Sequence, residues 1–274
     1  MTAPARSTSK TPMAGLFGLG AATNFFDTLG IGSFATTTAV LRLFHLVEDE
    51  NIPGTLNVGH AIPTITECVI FIILLGGLID IPTITCMVIA GGIGAWFGTG
   101  LVVHWPRRTI QRAMAVALVI TAGFMALRLL ANLNLGTGTI GLAGAALAIA
   151  VLASALIGSL TSLGIGNYAP TMAVTYMLGM NAKAVFPIMA ASASLILPAA
   201  AIRFYKSGRF DKRAAIGLAI GGIPGVFIAA FVVKELPLTT VKWWLHAARQ
   251  RLRHLLRPYH AAEMEGPEVN HEQE

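Results

Sequence analysis

A long stretch almost free of basic residues narrows the possible folds of this chain at once. Between Met13 and Gly100 the only lysine or arginine is Arg42, and long apolar runs follow one another with short gaps. Over the whole chain 12% of residues are charged and 55% are hydrophobic, whereas a soluble domain averages about 25% charged residues. Because each membrane-spanning helix needs roughly 20 apolar residues, the pattern predicts an all-α polytopic membrane protein.

Five apolar segments are long enough to cross a bilayer, and two longer ones carry a shared glycine-rich phrase. The predicted spans are 57–78, 83–103, 113–131, 185–203 and 214–233, and the longer regions are 12–46 and 140–180. The net charge of +6 comes from basic clusters beside these segments. Such clusters are typical of cytoplasmic loop anchors. We therefore expect a multi-pass protein of the cell membrane, with the lipid bilayer and not nucleic acid as its surroundings.

The phrase occurs twice, as "TLGIGSFATTTAV" (28–40) and "SLGIGNYAPTMAV" (162–174), with eight of thirteen positions identical. Further along each half, "AGGIGAWFGTGLVV" (90–103) is similar to "IGGIPGVFIAAFVV" (220–233). Each half thus contains a phrase region followed by two apolar spans. The sequence indicates a duplicated membrane unit, and duplicated units are typical of secondary transporters.

The basic loops predict how the two copies are oriented. If each phrase region crossed the membrane once, either Arg107 and Arg108 or the loop 203–213 would lie outside, against the positive-inside rule. If each phrase region is instead a Gly-broken helical hairpin that returns to its own side, the amino terminus and both loops are cytoplasmic. The sequence then predicts two inverted-topology repeats, 12–139 and 140–237, in one membrane domain. The remaining segments are a cytoplasmic amino terminus, an amphipathic basic helix and a disordered acidic tail, at 1–11, 238–257 and 258–274.

The phrase itself predicts an anion-binding element. Paired glycines favour a helix interruption, and the helix that follows begins with unpaired N–H groups at the positive end of its dipole. Ser and Asn are favoured N-caps, so two inverted copies would aim two capped N-termini at one uncharged pocket of donors near the midplane. The alternative is that GIG serves only close helix packing. The predicted substrate-binding residues are Gly30, Gly32, Ser33 and Thr37 in the first copy, and Gly164, Gly166, Asn167 and Thr171 in the second.

Polar residues in the first half are candidates for proton coupling and for the pathway. An ionisable residue within a membrane segment is a functional candidate by default, and Asp27, His60 and Glu67 are such residues. Asp27 directly precedes the first phrase, and Asn24 and Asn57 are further pathway candidates. The alternative is that Asn57 and His60 only cap a helix near the surface.

No motif in the sequence favours an enzyme, a cofactor or a metal. "GTGTIG" (136–141) fits a dinucleotide-binding pattern, but it lacks the strand–helix unit and the acidic residue that such a site requires. No Ser/His/Asp, CxxC or HExxH arrangement is present. The GxxxG spacings of Gly217, Gly221 and Gly225 are explained by helix packing. We predict no cofactor and no metal, and a homo-oligomer is compatible with the sequence.

These motifs resemble those of the sulfite exporter TauE/SafE family, also called the toluene sulfonate uptake permease family. The resemblance rests on "GLFGLGAATNFFDTLGIGSFATTTAV" (15–40), "GSLTSLGIGNYAPTMAV" (158–174), "GGIGAWFGTGLVVHWPRR" (91–108) and "GGIPGVFIAAFVVKELP" (221–237). It covers about 15–237. It implies a membrane permease for small sulfur-containing anions such as sulfite or organosulfonates, with two repeats whose Gly-rich segments line the path.

The leading hypothesis is a secondary transporter that moves a small sulfur-containing oxyanion by alternating access between inverted repeats. A passive anion channel with the same donors is one alternative. A membrane scaffold or binding protein, in which the paired phrase serves packing alone, is the other.

Overall fold

The computed structural model describes residues 12–106 and 138–235, together with Arg108, Thr109, Arg112, Ala115, Val116, Val119 and Gly123. Residues 12–106 and 138–235 contain eight α-helices, two single-turn 3-10 helices (Asp49–Asn51 and Gly76–Leu78) and no β-strand. The α-helices are α1 (Met13–Thr28), α2 (Ser33–Leu43), α3 (Ile52–Leu75), α4 (Ile81–Val102), α5 (Gly144–Thr161), α6 (Tyr168–Met177), α7 (Ala182–Ser207) and α8 (Lys212–Glu235).

Five segments are long and apolar enough to cross a membrane, namely Asp49–Leu78, Ile81–Val102, Gly144–Thr161, Lys183–Ser207 and Lys212–Val232. They agree with the predicted all-α, multi-pass membrane protein. The predicted segments 1–11, 238–257 and 258–274 lie outside the described residues, as does nearly all of the predicted span 113–131.

Both phrase regions are broken helices, as the glycines predict. The first break separates α1 from α2 at residues 29–32, and the second separates α5 from α6 at residues 162–167. Gly30, Gly32 and Gly164 have φ angles of 85°, 94° and 90°, which L-residues with a Cβ adopt only under strain. The repeated glycines therefore act on the backbone itself, and the possibility that they serve packing alone is wrong for these three positions.

Helices of the first half pack closely against helices of the second half. Helix α4 lies so close to α5 that a Cβ at Gly94 would collide with the backbone of Ala155, and the Ser159 hydroxyl donates to the Gly94 carbonyl at 2.9 Å. Helix α8 approaches α1 in the same way, because a Cβ at Gly221 would collide with the backbone of Phe17. The prediction that the GxxxG glycines of α8 serve close packing is confirmed.

The described helices have an apolar surface, and their interior contains polar side chains beside an apolar core. Large apolar side chains are exposed on several helices, including Ile73, Phe97 and Leu152, as expected for faces in contact with lipid tails. Polar side chains are also buried, and many of them belong to α1, α2 and α3. The chain separates into two compact units, residues 1–230 and 231–274, and these polar side chains all belong to the first.

Candidate functional site

The two breaks meet at a small cavity. A Cβ on Gly166 of the second break would stand 3.5 Å from the Cβ of Phe34, just after the first. The space between leaves about 10 Å³ for the centre of a water molecule, which is about what a single water needs. The cavity is lined by Asp27, Gly32, Ser33 and Phe34 around the first break, by Gly166, Asn167 and Tyr168 around the second, and by Thr64, Ala193 and Leu197.

The N-terminus of α2 is already occupied by a carboxylate of the same chain. Asp27 accepts a hydrogen bond from the Ser33 N–H at Oδ1 and another from the Ser33 hydroxyl at Oδ2, both at 2.8 Å. The turn between α1 and α2 returns Asp27 to this position, where the helix dipole favours negative charge. The prediction of an uncharged pocket made only of donors is therefore wrong.

The second break has no acidic side chain in the corresponding place. Thr161 takes the position of Asp27, and its hydroxyl donates to the Ile157 carbonyl of its own helix at 2.9 Å. Asn167 directs its amide away from the helix end and donates to the Met189 carbonyl at 3.1 Å. The expected side-chain caps are absent at both breaks, because Gly32 and Asn167 are the N-cap residues and neither makes a side-chain cap hydrogen bond.

His60 connects three helices of the first half. The Asn24 amide nitrogen donates to the Gly20 carbonyl at 2.8 Å, so its Oδ1 is left to accept from Nδ1 of His60 at 3.1 Å. Nε2 of His60 then accepts from the Thr37 hydroxyl at 3.1 Å. His60 is fully buried, and the possibility that it caps a helix near the surface is wrong.

Asn57 is also fully buried and does not cap a surface helix end. Its amide nitrogen donates to the Pro53 carbonyl at 2.8 Å and to the Thr161 carbonyl at 3.4 Å. Because Thr161 ends α5, this second bond joins α3 of the first half to the second break.

Glu67 is a fully buried acid without a well-formed hydrogen bond. Its two carboxyl oxygens and the Tyr168 hydroxyl have no hydrogen-bond partner among the described residues, although Glu67 interacts electrostatically with both Tyr168 and Asp27. In residues 12–106 and 138–235 no group of three or more His, Cys, Asp or Glu side chains is placed to hold a metal ion.

The structure brings some of the predicted site residues to the cavity and leaves the others around it. Those that line it are Asp27, Gly32, Ser33, Gly166 and Asn167. Those outside the lining are Asn24, Gly30, Thr37, Asn57, His60, Glu67, Gly164 and Thr171. Two polar lining residues were missed, Thr64 and Tyr168. Tyr168 could have been predicted from the sequence, since its phenol directly follows Asn167 in the second phrase.

No protein-family model, no curated protein and no solved structure matches this chain.

Proposed function

We propose that this chain is a secondary transporter for a small sulfur-containing oxyanion, such as sulfite or an organosulfonate. The observation that carries the proposal is the convergence of two helix N-termini, those of α2 and α6, on one buried cavity. Backbone N–H groups at a helix start are donors without intrahelical partners, and the helix dipole makes this end attractive to anions. The choice of a sulfur oxyanion rests on the resemblance of the repeated phrases to the sulfite exporter family.

The size of the cavity favours a carrier over an open channel. A space that admits about one water is too small for an oxyanion of several non-hydrogen atoms. The helices around it must therefore separate before substrate enters, as alternating access requires.

The reciprocal packing of the halves supports a two-fold relation between them. Helix α4 of the first half packs on α5, the first helix of the second half, while α8 packs on α1. A two-fold axis between the halves would relate the contact of α4 with α5 to the contact of α8 with α1. An axis in the membrane plane would make the halves inverted copies, in agreement with the distribution of basic loops.

Uptake into proteoliposomes tests the proposal. Vesicles that contain the purified full-length protein should accumulate radiolabelled sulfite or ethanesulfonate above the level of empty vesicles, and preloaded unlabelled anion should accelerate uptake by counterflow. Uptake that rises without saturation and shows no counterflow would indicate a passive channel. Absence of both flux and binding for these anions would contradict the proposal.

The variant Asn167→Ala separates a transporter from a scaffold. Asn167 lines the cavity, so a carrier should lose transport when its amide is removed, whereas a scaffold should be unaffected. The control is Glu48→Gln, because Glu48 is an exposed carboxyl that does not line the cavity.

A further inference from the structure

The cavity is lined by an acidic side chain but by no basic one. None of its lining residues is basic, and Asp27 is its only acid. Two basic side chains near the described helix ends are engaged elsewhere, since Arg42 pairs with Asp49 at 3.3 Å and Arg203 lies 4.4 Å above the Trp96 ring. A second anion in this space would therefore meet the charge of Asp27 with no cation to offset it.

Asp27 uses the same donors that an incoming oxyanion would use. Its two oxygens accept hydrogen bonds from the Ser33 N–H and the Ser33 hydroxyl at the start of α2. Two carboxylate oxygens held in this way resemble two oxygens of a sulfite or sulfonate group. The side chain and the substrate cannot occupy the position together.

The remaining groups that face Asp27 provide no alternative counter-charge. Glu67 from α3 and Tyr168 from α6 are the titratable groups in electrostatic contact with it. Helix α7 contributes only Ala193 and Leu197 to the lining. Two neighbouring buried carboxyls without a cation repel one another when both are ionised, so neither of them offers a counter-charge to an entering anion.

We propose that Asp27 is the resident anion of the site, and that a substrate anion replaces it at the α2 N-terminus only when Asp27 takes up one proton from water and turns away. This inference rests on the proposed function and specifies that anion transport is coupled to proton uptake. The Glu67 carboxyl and the Tyr168 hydroxyl are both buried and both in electrostatic contact with Asp27, so they are placed to bond with the displaced Asp27 carboxyl. Anion binding and proton uptake then become linked, and the protein is a proton–anion symporter.

Proton uptake on anion binding is the direct test. Ethanesulfonate is the probe, because it is the anion of a strong acid and exchanges no protons near neutral pH. Purified protein in weak buffer with a pH indicator should take up about one proton per bound anion, with binding followed by thermal stabilisation. The dissociation constant should rise about tenfold per pH unit over the range in which Asp27 is ionised in the empty site.

Two variants assign the proton to a residue. Asp27→Asn, a neutral analogue of the protonated acid, should bind ethanesulfonate without proton uptake and without pH dependence. The exposed control Glu48→Gln should keep the proton uptake of the wild type, because Glu48 does not line the cavity. Loss of uptake in Glu67→Gln with retention in Asp27→Asn would overturn the assignment.

The possible failures are distinguishable. Binding of ethanesulfonate to the wild type with no proton uptake and with the same affinity at every pH overturns the inference but leaves the proposed transporter intact, and this result needs no variant to fold. If neither ethanesulfonate nor sulfite stabilises the wild type or enters vesicles, the proposed function and the inference are both wrong.

Discussion

The first and second breaks share one backbone feature and have very different surroundings. Each ends one helix, contains a glycine with φ close to 90°, Gly30 or Gly164, and starts a second helix. At the first break the carboxylate of Asp27 binds the new helix end. At the second break the matching residue, Thr161, bonds only to its own helix. The duplicated feature is thus the interruption of the helix at a glycine with positive φ, and the acidic side chain belongs to one copy.

The helices that support the two breaks differ in the same way. Helix α3 begins at Ile52 and α7 at Ala182, so Ala190 holds the place in α7 that His60 holds in α3. By the same spacing, a leucine, Leu197, corresponds to Glu67. The second half therefore provides a nearly uncharged wall. We infer that the first half carries the proton and that the second half mainly completes the anion pocket.

The largest effect is expected from copying the second break into the first. Asp27→Thr should abolish the accumulation of ethanesulfonate that a pH gradient drives, because the chain then has no carboxyl at the α2 N-terminus to take up the proton that accompanies the anion. Uptake into proteoliposomes at an inward pH gradient is the measurement.

The matched control is Thr161→Ala in the second break. Its hydroxyl makes a single bond to its own helix, worth about 1 kcal/mol or less, so most of the transport should remain. Equal losses in the two variants would show that the breaks are functionally equivalent and would contradict the division between the halves.

The second prediction concerns His60, for which the second half has Ala190. His60→Ala should lower the free energy of unfolding by about 3 kcal/mol, because Asn24 Oδ1 and Thr37 Oγ1 both lose their partner and a buried polar atom left unpaired costs about 1–3 kcal/mol. Denaturation in mixed detergent micelles measures this change.

A double-mutant cycle gives the control for His60. In the His60→Ala background, Thr37→Val should cost less than it does in the wild type, since the valine removes a hydroxyl that has already lost its acceptor. Additive costs would mean that the bond between His60 and Thr37 contributes nothing to stability.

The third prediction compares aligned glycines. Gly32 has a φ of 94° and nothing within 4 Å of a Cβ, so Gly32→Ala should cost about 2 kcal/mol through backbone strain alone. Gly166 lies at the matching position without a positive φ, and its Cβ would make an ordinary contact with Phe34. Gly166→Ala should therefore cost less than about 0.5 kcal/mol. The same denaturation assay measures both variants, and equal costs would show that the two turns are strained alike.

The elements of the fold could be predicted because they depend on local features. Apolar runs located the spans close to α3, α4, α7 and α8, and the paired glycines located both breaks, since a residue such as Gly30 with positive φ interrupts a helix wherever it stands. The orientation of the halves relative to the membrane stays a prediction.

The candidate site could be predicted only in part, because its distinguishing contacts are formed by distant segments. Glu67 and Tyr168 are 101 residues apart, and their proximity follows from packing between the halves. The three-helix network of His60 likewise needs the tertiary fold. Even the local contact of Asp27 with Ser33 depends on the path of a four-residue turn, which the glycines permit but do not specify.

The smallest predicted effects belong to the aligned residues Ser33 and Asn167. Ser33→Ala and Asn167→Ala should each cost about 1 kcal/mol of stability, because each removes one buried hydrogen bond. Their effects on ethanesulfonate affinity should differ. The Ser33 hydroxyl donates to Asp27 in the empty site and would donate to the anion in the filled one. Its loss therefore destabilises both states by similar amounts, and the dissociation constant should change less than about threefold.

Loss of the Asn167 amide should affect the filled site more than the empty one, because no acid accepts from this amide in the empty cavity. If its amide turns from the Met189 carbonyl to the anion, Asn167→Ala should weaken binding by about tenfold, which corresponds to about 1.4 kcal/mol. Thermal stabilisation by ethanesulfonate measures both variants side by side. A stronger loss of affinity in Ser33→Ala than in Asn167→Ala would mean that the α2 N-terminus binds substrate without first holding Asp27, and the contrast between the two breaks would then be structural and not functional.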